Sequence, residues 1–253
     1  RTSSSVRNQA YSTPLPISYV AARLAGVRAG KTVADPTAGH GALLLGAETG
    51  QAFVNEIDPA RADRLEAMGF TVTREDAADW RPRDPVDRIV ANPPFGSLRA
   101  VSDLGGPAWK LTGGRVYLTP DGIATRVEPG TVAPFTTSAD QAIAWNTLSR
   151  LKPDGRAVLI LEAPLSETAD ARRQAYETRE MRGFMHELYN RFNVVDHVTL
   201  AGDLYSTQGA SWPVDMIIID GRGRSARPLP AALLPERITT LDHLAAYAGR
   251  HAW

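Results

Sequence analysis

The chain has 253 residues, of which 28 are basic and 28 are acidic, so its formal net charge is zero. That length can bury a sizeable core in one large domain or two small ones. The sequence contains no cysteine, which excludes disulfides, thiolate metal sites and cysteine nucleophiles. A zero net charge gives no overall basic field for nucleic acid, although it is compatible with one basic face.

Segments that address a chain to a membrane are absent from the sequence. No apolar run is long enough to span a bilayer, and no signal-peptide pattern is present. The histidines show no paired metal-ligand spacing. We therefore expect a cytoplasmic protein with neither a membrane partner nor a metal ion. Because the chain begins with Arg1, we also expect it to be a fragment or a processed product of a longer protein.

Short apolar, β-branched runs alternate with helical patterns along the chain. Strands are expected at 31–36, 52–58, 70–76, 87–94, 156–164, 193–200 and 213–220. Helices are expected from Asp58 to Gly69, over 138–155 and over 168–191. This alternation predicts an α/β fold with a seven-stranded, mostly parallel sheet and helices on both faces. No helical pattern separates the last two strands, so we expect them to pair antiparallel at one edge.

Residues 97–138 interrupt this alternation, because they are rich in glycine, proline and threonine and lack helical periodicity. Within them "RVYLTPDGIATRV" places a Pro-Asp-Gly turn between two alternating runs, which predicts a hairpin. A long insertion of this kind is often a functional lid or binding loop. The alternative is a solvated ornament without a function.

Polar residues and glycines fall at the carboxyl ends of the first three strands, where open α/β sheets bind ligands. After the first strand, Gly39 and Gly41 allow a tight turn and close approach of a ligand to the backbone. Glu56 can accept from a ribose diol, or it is a surface acid near a helix start. Asp76 can accept from an exocyclic amino group, or it is a helix N-cap. Together they indicate a nucleoside-bearing cofactor, either NAD or S-adenosylmethionine.

The fourth strand ends in "ANPPFG", in which two adjacent prolines fix two φ angles and supply no N–H. With the upstream "DPTAGHGALL", this stretch resembles S-adenosylmethionine-dependent amino-methyltransferases, and the resemblance covers most of the chain. "YSTPLPISYVAARLAG" is similar to the segment before the glycine loop of N6-adenine DNA methyltransferases. The order of the motifs is that of the gamma type. The resemblance implies a Rossmann-like class I methyltransferase fold.

The resemblance also implies residues for the cofactor, whose demethylated product is S-adenosylhomocysteine. A Thr-Pro pair would hold its methionine end, the glycine loop would surround it, and acidic motifs would bind its ribose and adenine. The implied cofactor residues are Thr13, Pro14, Asp35, Thr37, Gly39, Gly41, Glu56, Ile57, Asp76, Ala77 and Asn92.

The chemistry of an aromatic amine explains why "NPPF" suits this reaction. The N6 lone pair of adenine is delocalised into the ring, so the amine is a poor nucleophile. The Asn92 side-chain oxygen and the Pro93 carbonyl can accept from its hydrogens, while Pro94 keeps that carbonyl aimed. Phe95 offers a face for the base, which must be flipped out of a DNA duplex. Tyr205 in "LYSTQGASWP" is the candidate second wall, or else a loop tyrosine over the core edge.

One departure from the gamma-type pattern concerns DNA recognition. Such enzymes usually carry a separate target-recognition domain, whereas we interpret 1–253 as one catalytic domain that ends in a linker and a helix over 221–253. Either the 97–138 insertion reads DNA, or a recognition or helicase domain or subunit does. The arrangement is similar to methyltransferase modules joined to helicase-like domains in phage and anti-phage defence proteins, and restriction-modification is the related context.

Two other functions remain open from the sequence. "NPP" followed by an aromatic residue also occurs in enzymes that methylate RNA bases or a protein glutamine, and "YSTP" weighs against those substrates. The third possibility is a cofactor-binding DNA-recognition module that no longer catalyses. The intact Asn92 and Phe95 argue against it.

Overall fold

The structure is a computed structural model that describes residues 13–98, 106–119, 122–123, 134–208 and 212–251. Its α-helices are α1 Leu15–Ala25, α2 Pro59–Ala67, α3 Ala139–Leu148, α4 Ala169–Tyr176, α5 Arg179–Arg191 and α6 Leu241–Arg250. Short 3₁₀ helices lie at Ala42–Leu44, Thr49–Gln51 and Gly202–Gln208. The strands are β1 Val33–Asp35, β2 Ala52–Asn55, β3 Val72–Thr73, β4 Val86–Ala91, β5 Pro107–Lys110, β6 Gly114–Thr119, β7 Gly122–Ile123, β8 Phe135–Thr136, β9 Leu151–Glu162, β10 Phe192–Leu200, β11 Val214–Arg222 and β12 Glu236–Ile238.

The main sheet has eight strands in the order β12-β10-β11-β9-β4-β1-β2-β3. Strand β11 runs antiparallel to both of its neighbours, β9 and β10. The other neighbouring pairs of this sheet are parallel. The predicted α/β fold with a mostly parallel sheet is therefore confirmed, and so is the antiparallel pairing of the last two predicted strands.

The eighth strand, β12, was not predicted. It pairs parallel with β10 and lies at the edge of the sheet, within the segment that the sequence assigned to a linker. The linker interpretation is wrong at these residues, whereas the C-terminal helix is present as α6. Three residues that follow a proline-rich stretch are too few for a strand to be recognised from the sequence. Their extended conformation depends on hydrogen bonds to β10, which is distant in sequence.

Two predicted helices have different limits in the structure. The helix expected over 138–155 ends at Leu148, and Lys152–Gly155 belong instead to the long strand β9. The helix expected over 168–191 is two helices, α4 and α5, separated at Glu177 and Thr178. In contrast, α2 begins directly after Asp58, close to the predicted start, and the Asp58 side chain caps it by accepting from the Arg61 amide at 3.1 Å.

Hydrophobic cores cover both faces of the main sheet. Along β9, Val158 and Ile160 belong to the core that includes residues of α1 and α6. The alternate residues Leu159 and Leu161 belong to the core that includes residues of α3 and α5. Because successive side chains of a strand point to opposite faces, helices lie on both faces, as the sequence predicted.

The insertion forms a second, smaller sheet with the order β7-β6-β5-β8. The predicted hairpin is confirmed by the antiparallel pairing of Leu118 with Ile123 in β6 and β7, while Pro120 and Asp121 of its turn lie outside the described residues. Strands β5 and β8 were not predicted. Within the described ranges, no helix combines the length and the apolar character that a membrane span requires.

Replacing Ile238 tests whether β12 is an integral part of the sheet. The Ile238 side chain is fully buried, so we expect Ile238→Ala to lower the free energy of unfolding by about 2–4 kcal/mol, measured by urea denaturation. The neighbouring Leu241 is 49% exposed, and Leu241→Ala should change stability by less than about 0.5 kcal/mol. Equal, small effects of the two substitutions would show that β12 is dispensable.

Candidate functional site

The candidate site lies where the chain order of the main sheet reverses. From β1 the chain continues through β2 and β3 on one side, and it then crosses to β4 on the other side of β1. The carboxyl ends of β1 and β4 carry Asp35 and Ala91–Asn92. In open α/β sheets the crevice beyond such a reversal is the usual ligand site, so the topology brings the glycine turn and "NPPF" to one crevice.

The glycine turn after β1 contains two glycines with positive φ, 58° at Gly39 and 78° at Gly41. A Cβ built on Gly39 would meet only the Thr37 carbonyl, at 4.0 Å, so this glycine borders open space. A Cβ built on Gly41 would lie 3.0 Å from a methyl carbon of Leu65. The close approach predicted for a ligand therefore fits Gly39, whereas Gly41 serves the packing of α2 against the turn.

Glu56 holds this turn in place from the end of β2. Its Oε2 accepts from the Gly39 amide and its Oε1 from the Asp58 amide, both at 2.8 Å. The side chain is buried, with 6% exposure, which rules out the alternative of a surface acid. The next residue, Ile57, is 56% exposed and offers an apolar surface beside the carboxylate.

Asp35 is a fully buried carboxyl group at the end of β1. Its Oδ1 accepts from the Thr37 amide at 3.0 Å, whereas its Oδ2 and the Thr37 hydroxyl are buried and have no hydrogen-bond partner among the described residues. Burial raises the pKa of Asp35 to about 7, the Thr37 amide opposes this rise and the charge of Glu56 adds to it. Unpaired buried polar atoms are rare in folded proteins. These two fit a polar or cationic ligand that reaches into the turn.

Asn55 is a structural residue of the site that sequence reasoning missed. Its Nδ2 donates to the carbonyls of Pro36 and Glu75, each at 3.0 Å. Its Oδ1 accepts from the Thr73 hydroxyl at 2.8 Å and from the Glu75 amide at 3.0 Å. The Asn55 side chain is 1% exposed, and its bond to the Pro36 carbonyl is buried, whereas the other three bonds are partly buried. An amide directly before Glu56, at the end of an apolar strand, was the available signal.

Asp76 lies in a turn after β3 rather than at the start of a described helix. Its Oδ1 accepts from the Ala78 amide at 2.9 Å, and its backbone carbonyl accepts from the Asp79 and Trp80 amides. Its side chain is 65% exposed. The neighbouring Ala77 is partly buried against the insertion. Asp76 therefore does not cap a described helix; its side chain closes a turn instead.

The structure joins the "NPPF" motif to the Thr-Pro segment. The Asn92 Nδ2 donates to the Thr13 hydroxyl at 2.7 Å, although the two residues are 79 positions apart. This bond leaves Oδ1 as the amide atom that can accept from a ligand. Pro14 precedes α1, and its carbonyl accepts from the Ser18 amide at 2.9 Å. The cofactor segment and the catalytic motif predicted from the sequence are therefore in direct contact.

The rest of the motif is anchored to the protein on both sides. Pro93 is buried, Pro94 is half-buried, and the half-buried Phe95 packs against the core beneath α1. The Gly96 carbonyl accepts from the Ala139 amide at 2.7 Å, at the start of α3. The backbone that presents Asn92 and Pro93 is consequently rigid.

A cavity of about 570 Å³ borders the end of the motif. Gly96 and Ser97 line one side, and residues 162–165, at and just after the end of β9, line another. Burial and the nearby Asp140 raise the pKa of Glu162. Sequence reasoning did not identify Glu162, because a lone acid after an apolar strand has no specific pattern.

The structure places Tyr205 differently from the sequence interpretation. It lies on the 3₁₀ helix Gly202–Gln208, is 3% exposed and belongs to the core beneath α1. Burial raises the pKa of its phenol, whose oxygen has no hydrogen-bond partner within the part of the chain that the structure describes. The ring is therefore not an accessible wall for a base in this conformation. The alternative position at the core fits it better, because an apolar ring gains more from burial than from exposure.

Metal ligands are not grouped in the described ranges of the chain. No cluster of three histidine, aspartate or glutamate residues able to hold an ion occurs there.

Replacing Asn55 should loosen the ends of β1, β2 and β3. Asn55→Ala leaves several buried groups without partners, and we expect a loss of about 2–4 kcal/mol in the free energy of unfolding. Asn193 makes one bond, to the Asp220 carbonyl at 3.0 Å, and is the matched control. Asn193→Ala should cost about 1 kcal/mol. Denaturant unfolding of both variants gives the comparison, and a smaller loss for Asn55→Ala would contradict the structural role.

The raised pKa of Asp35 predicts a pH-dependent cost to stability. Asp35 binds a proton more readily in the folded state than in the unfolded chain. The stabilisation that results is fully present below about pH 4 and is lost as pH rises towards 7. Asp35→Asn mimics the protonated form. Its stability relative to the original protein should rise by up to about 1.4 kcal/mol per pH unit over that window and then level off. Urea denaturation at stepped pH measures this, and a pH-independent difference would refute it.

Comparison with protein-family models and with curated proteins gives no match. Solved structures do match. A Listeria monocytogenes protein named as a class I S-adenosylmethionine-dependent methyltransferase is 13% identical, with a TM-score of 0.58 over 95% of this chain and 70% of that one. The type I restriction-modification methyltransferase subunit of Streptococcus thermophilus is 19% identical, with a TM-score of 0.58 over 95% and 53%.

The M protein of the type I restriction enzyme EcoKI is 14% identical, with a TM-score of 0.57 over 94% of this chain and 53% of that one. The chain thus spans about half the length of the type I subunits that it matches. At these identities the likeness establishes the fold. The chain has the Rossmann-like fold of the class I S-adenosylmethionine-dependent methyltransferases.

Proposed function

We propose that the chain transfers a methyl group from S-adenosylmethionine to the N6 amino group of adenine in DNA. The observation that carries this proposal is the hydrogen bond of 2.7 Å between Asn92 and Thr13. It joins the motif suited to an aromatic amine with the segment that resembles the methionine-binding part of N6-adenine methyltransferases. Both lie beside the glycine turn at the reversal of the sheet.

The residues of the crevice fit the cofactor in chemical type. The unpaired Asp35 Oδ2 and Thr37 hydroxyl suit its amino-acid end, and the open side of Gly39 gives room for its backbone contact. Glu56 and the exposed Ile57 suit the ribose and one face of the adenine ring. When bound, S-adenosylmethionine supplies an electrophilic methyl group on its sulfonium.

The chain's own contribution is to prepare the target amine. The Asn92 Oδ1 and the Pro93 carbonyl accept from the two N6 hydrogens, which draws the nitrogen towards sp³ geometry and exposes its lone pair. Because these acceptors are held by the Thr13 bond and by the adjacent prolines, little reorganisation is needed. Phe95 orients the base, and positioning supplies much of the rate. No strong general base is required, since the methylated nitrogen is acidic enough to lose its proton to water.

DNA as the substrate is supported by the named neighbours and by the motif order. The S. thermophilus and EcoKI proteins are named as subunits of type I restriction systems. Since this chain spans about half of their length, we propose that a further domain or subunit, of recognition or helicase type, selects the DNA site.

Replacing Asn92 tests the assignment of the amine-binding group. Asn92→Ala removes an acceptor that acts on the reacting nitrogen, so we expect turnover to fall at least about 100-fold. Binding of S-adenosylmethionine, measured by calorimetry, should survive. Asn190→Ala, at an exposed asparagine on α5, is the control and should keep full activity. Turnover of Asn92→Ala equal to that of the original protein would refute catalysis through Asn92.

The substrate itself is identified by the fate of the label. The chain, alone and with its full-length parent, is incubated with tritiated S-adenosylmethionine and DNA, RNA or protein, and labelled nucleic acid is digested to nucleosides. We expect N6-methyladenine from DNA. Label that enters RNA or a protein glutamine but never DNA would overturn the proposed substrate, and cofactor binding without transfer would indicate a recognition module.

A further inference from the structure

The small sheet of the insertion is bonded to the turn that contains Asp76. Arg115, on β6, places its Nη2 3.0 Å from the Asp79 Oδ2 and 3.8 Å from the Asp76 Oδ2. The Arg115 side chain is 34% exposed, less than either of its acidic partners. One guanidinium therefore bridges the two carboxylates that begin and end this turn.

The same turn is also held by apolar packing. Trp109, on β5, is 8% exposed and forms a cluster with Ala78 of the turn and with Ala142 and Ile143 of α3. Trp109 and Arg115 are directly opposite in the β5–β6 register, and the guanidinium carbon lies 5.9 Å from the centre of the indole ring. The indole thus supports both the turn and the arginine that binds it.

The bridge determines how the Asp76 carboxylate is oriented. Its Oδ1 is fixed by the Ala78 amide at 2.9 Å, which leaves Oδ2 on the side of Arg115. Without Arg115, the carboxylates of Asp76 and Asp79 would repel each other with no opposite charge between them. The turn would then gain freedom, and a ligand that needs one fixed carboxylate would bind less tightly.

We propose that the small sheet forms a wall at the adenine end of the cofactor site, with Arg115 as the positioning residue for Asp76. This inference rests on the proposed function and on the expectation from the sequence that Asp76 accepts from the adenine amino group of the cofactor. It assigns the described part of the insertion to cofactor binding rather than to reading DNA.

The test measures affinity for the adenine end separately from catalysis. Calorimetry with S-adenosylhomocysteine and with adenosine is carried out on the original chain, Arg115→Ala, Arg115→Lys and Asp79→Asn. Arg115→Ala should bind both ligands about five-fold more weakly, as expected for a partly exposed ion pair, and the loss should shrink at high salt. Arg115→Lys should restore part of the affinity. If Arg115→Ala does not fold, Asp79→Asn removes the 3.0 Å pair that anchors Arg115 to the turn, with little change in shape. This variant should also bind both ligands more weakly than the original chain.

The control is Arg83→Ala, because Arg83 forms an ordinary surface pair with Asp84 at 3.2 Å and is 86% exposed. It should bind both ligands like the original chain. If the original chain binds S-adenosylhomocysteine and the Arg115 and Asp79 variants bind it equally well, this inference fails and the proposed function stands. If the original chain binds neither ligand, the proposed function fails and the inference fails with it. Weaker DNA binding with unchanged cofactor affinity would reassign the sheet to DNA.

Discussion

The site depends on a hydrogen-bond network around Asn55 at the ends of β1, β2 and β3. Asn55 satisfies four backbone and side-chain groups there, and it does so with an exposure of 1%. The buried Pro36 carbonyl and the Asn55 amide itself would carry a desolvation penalty if left unpaired. Glu56 extends this network, because its side chain accepts from the Gly39 amide. The glycine turn is thus shaped by protein contacts before any ligand arrives, which lowers the cost of binding.

The same preorganised turn contains one residue, Asp35, that lowers the stability of the folded protein. Burial of this carboxyl group, whose Oδ2 has no hydrogen-bond partner among the described residues, raises its pKa to about 7 and weakens the fold at neutral pH. A structural role alone would favour a neutral or paired side chain at this position. Functional sites commonly retain such unfavourable groups because a ligand completes them.

The other half of the site is assembled across the sheet from parts that are remote in sequence. Thr13 precedes the first helix and Asn92 follows β4, yet their side chains bond directly. In our proposal the small sheet adds a third part, because Arg115 forms an ion pair with Asp79 in the turn after β3. The insertion that follows "NPPF" therefore returns to the opposite end of the crevice, and the described residues of both ends share the support of α3.

The sequence by itself determined the strand and helix alternation, the antiparallel last pair and the motif order, because these depend on local periodicity and on residue types at strand ends. It did not determine β12, the early end of α3 or the burial of Tyr205. Their conformations follow from pairing with β10, from the length of β9 and from space in the core. Only the tertiary structure could show the hydrogen-bond network of Asn55, the Asn92–Thr13 bond and the ion pairs of Arg115. Each joins residues that are distant along the chain, and no local pattern specifies which distant groups will meet.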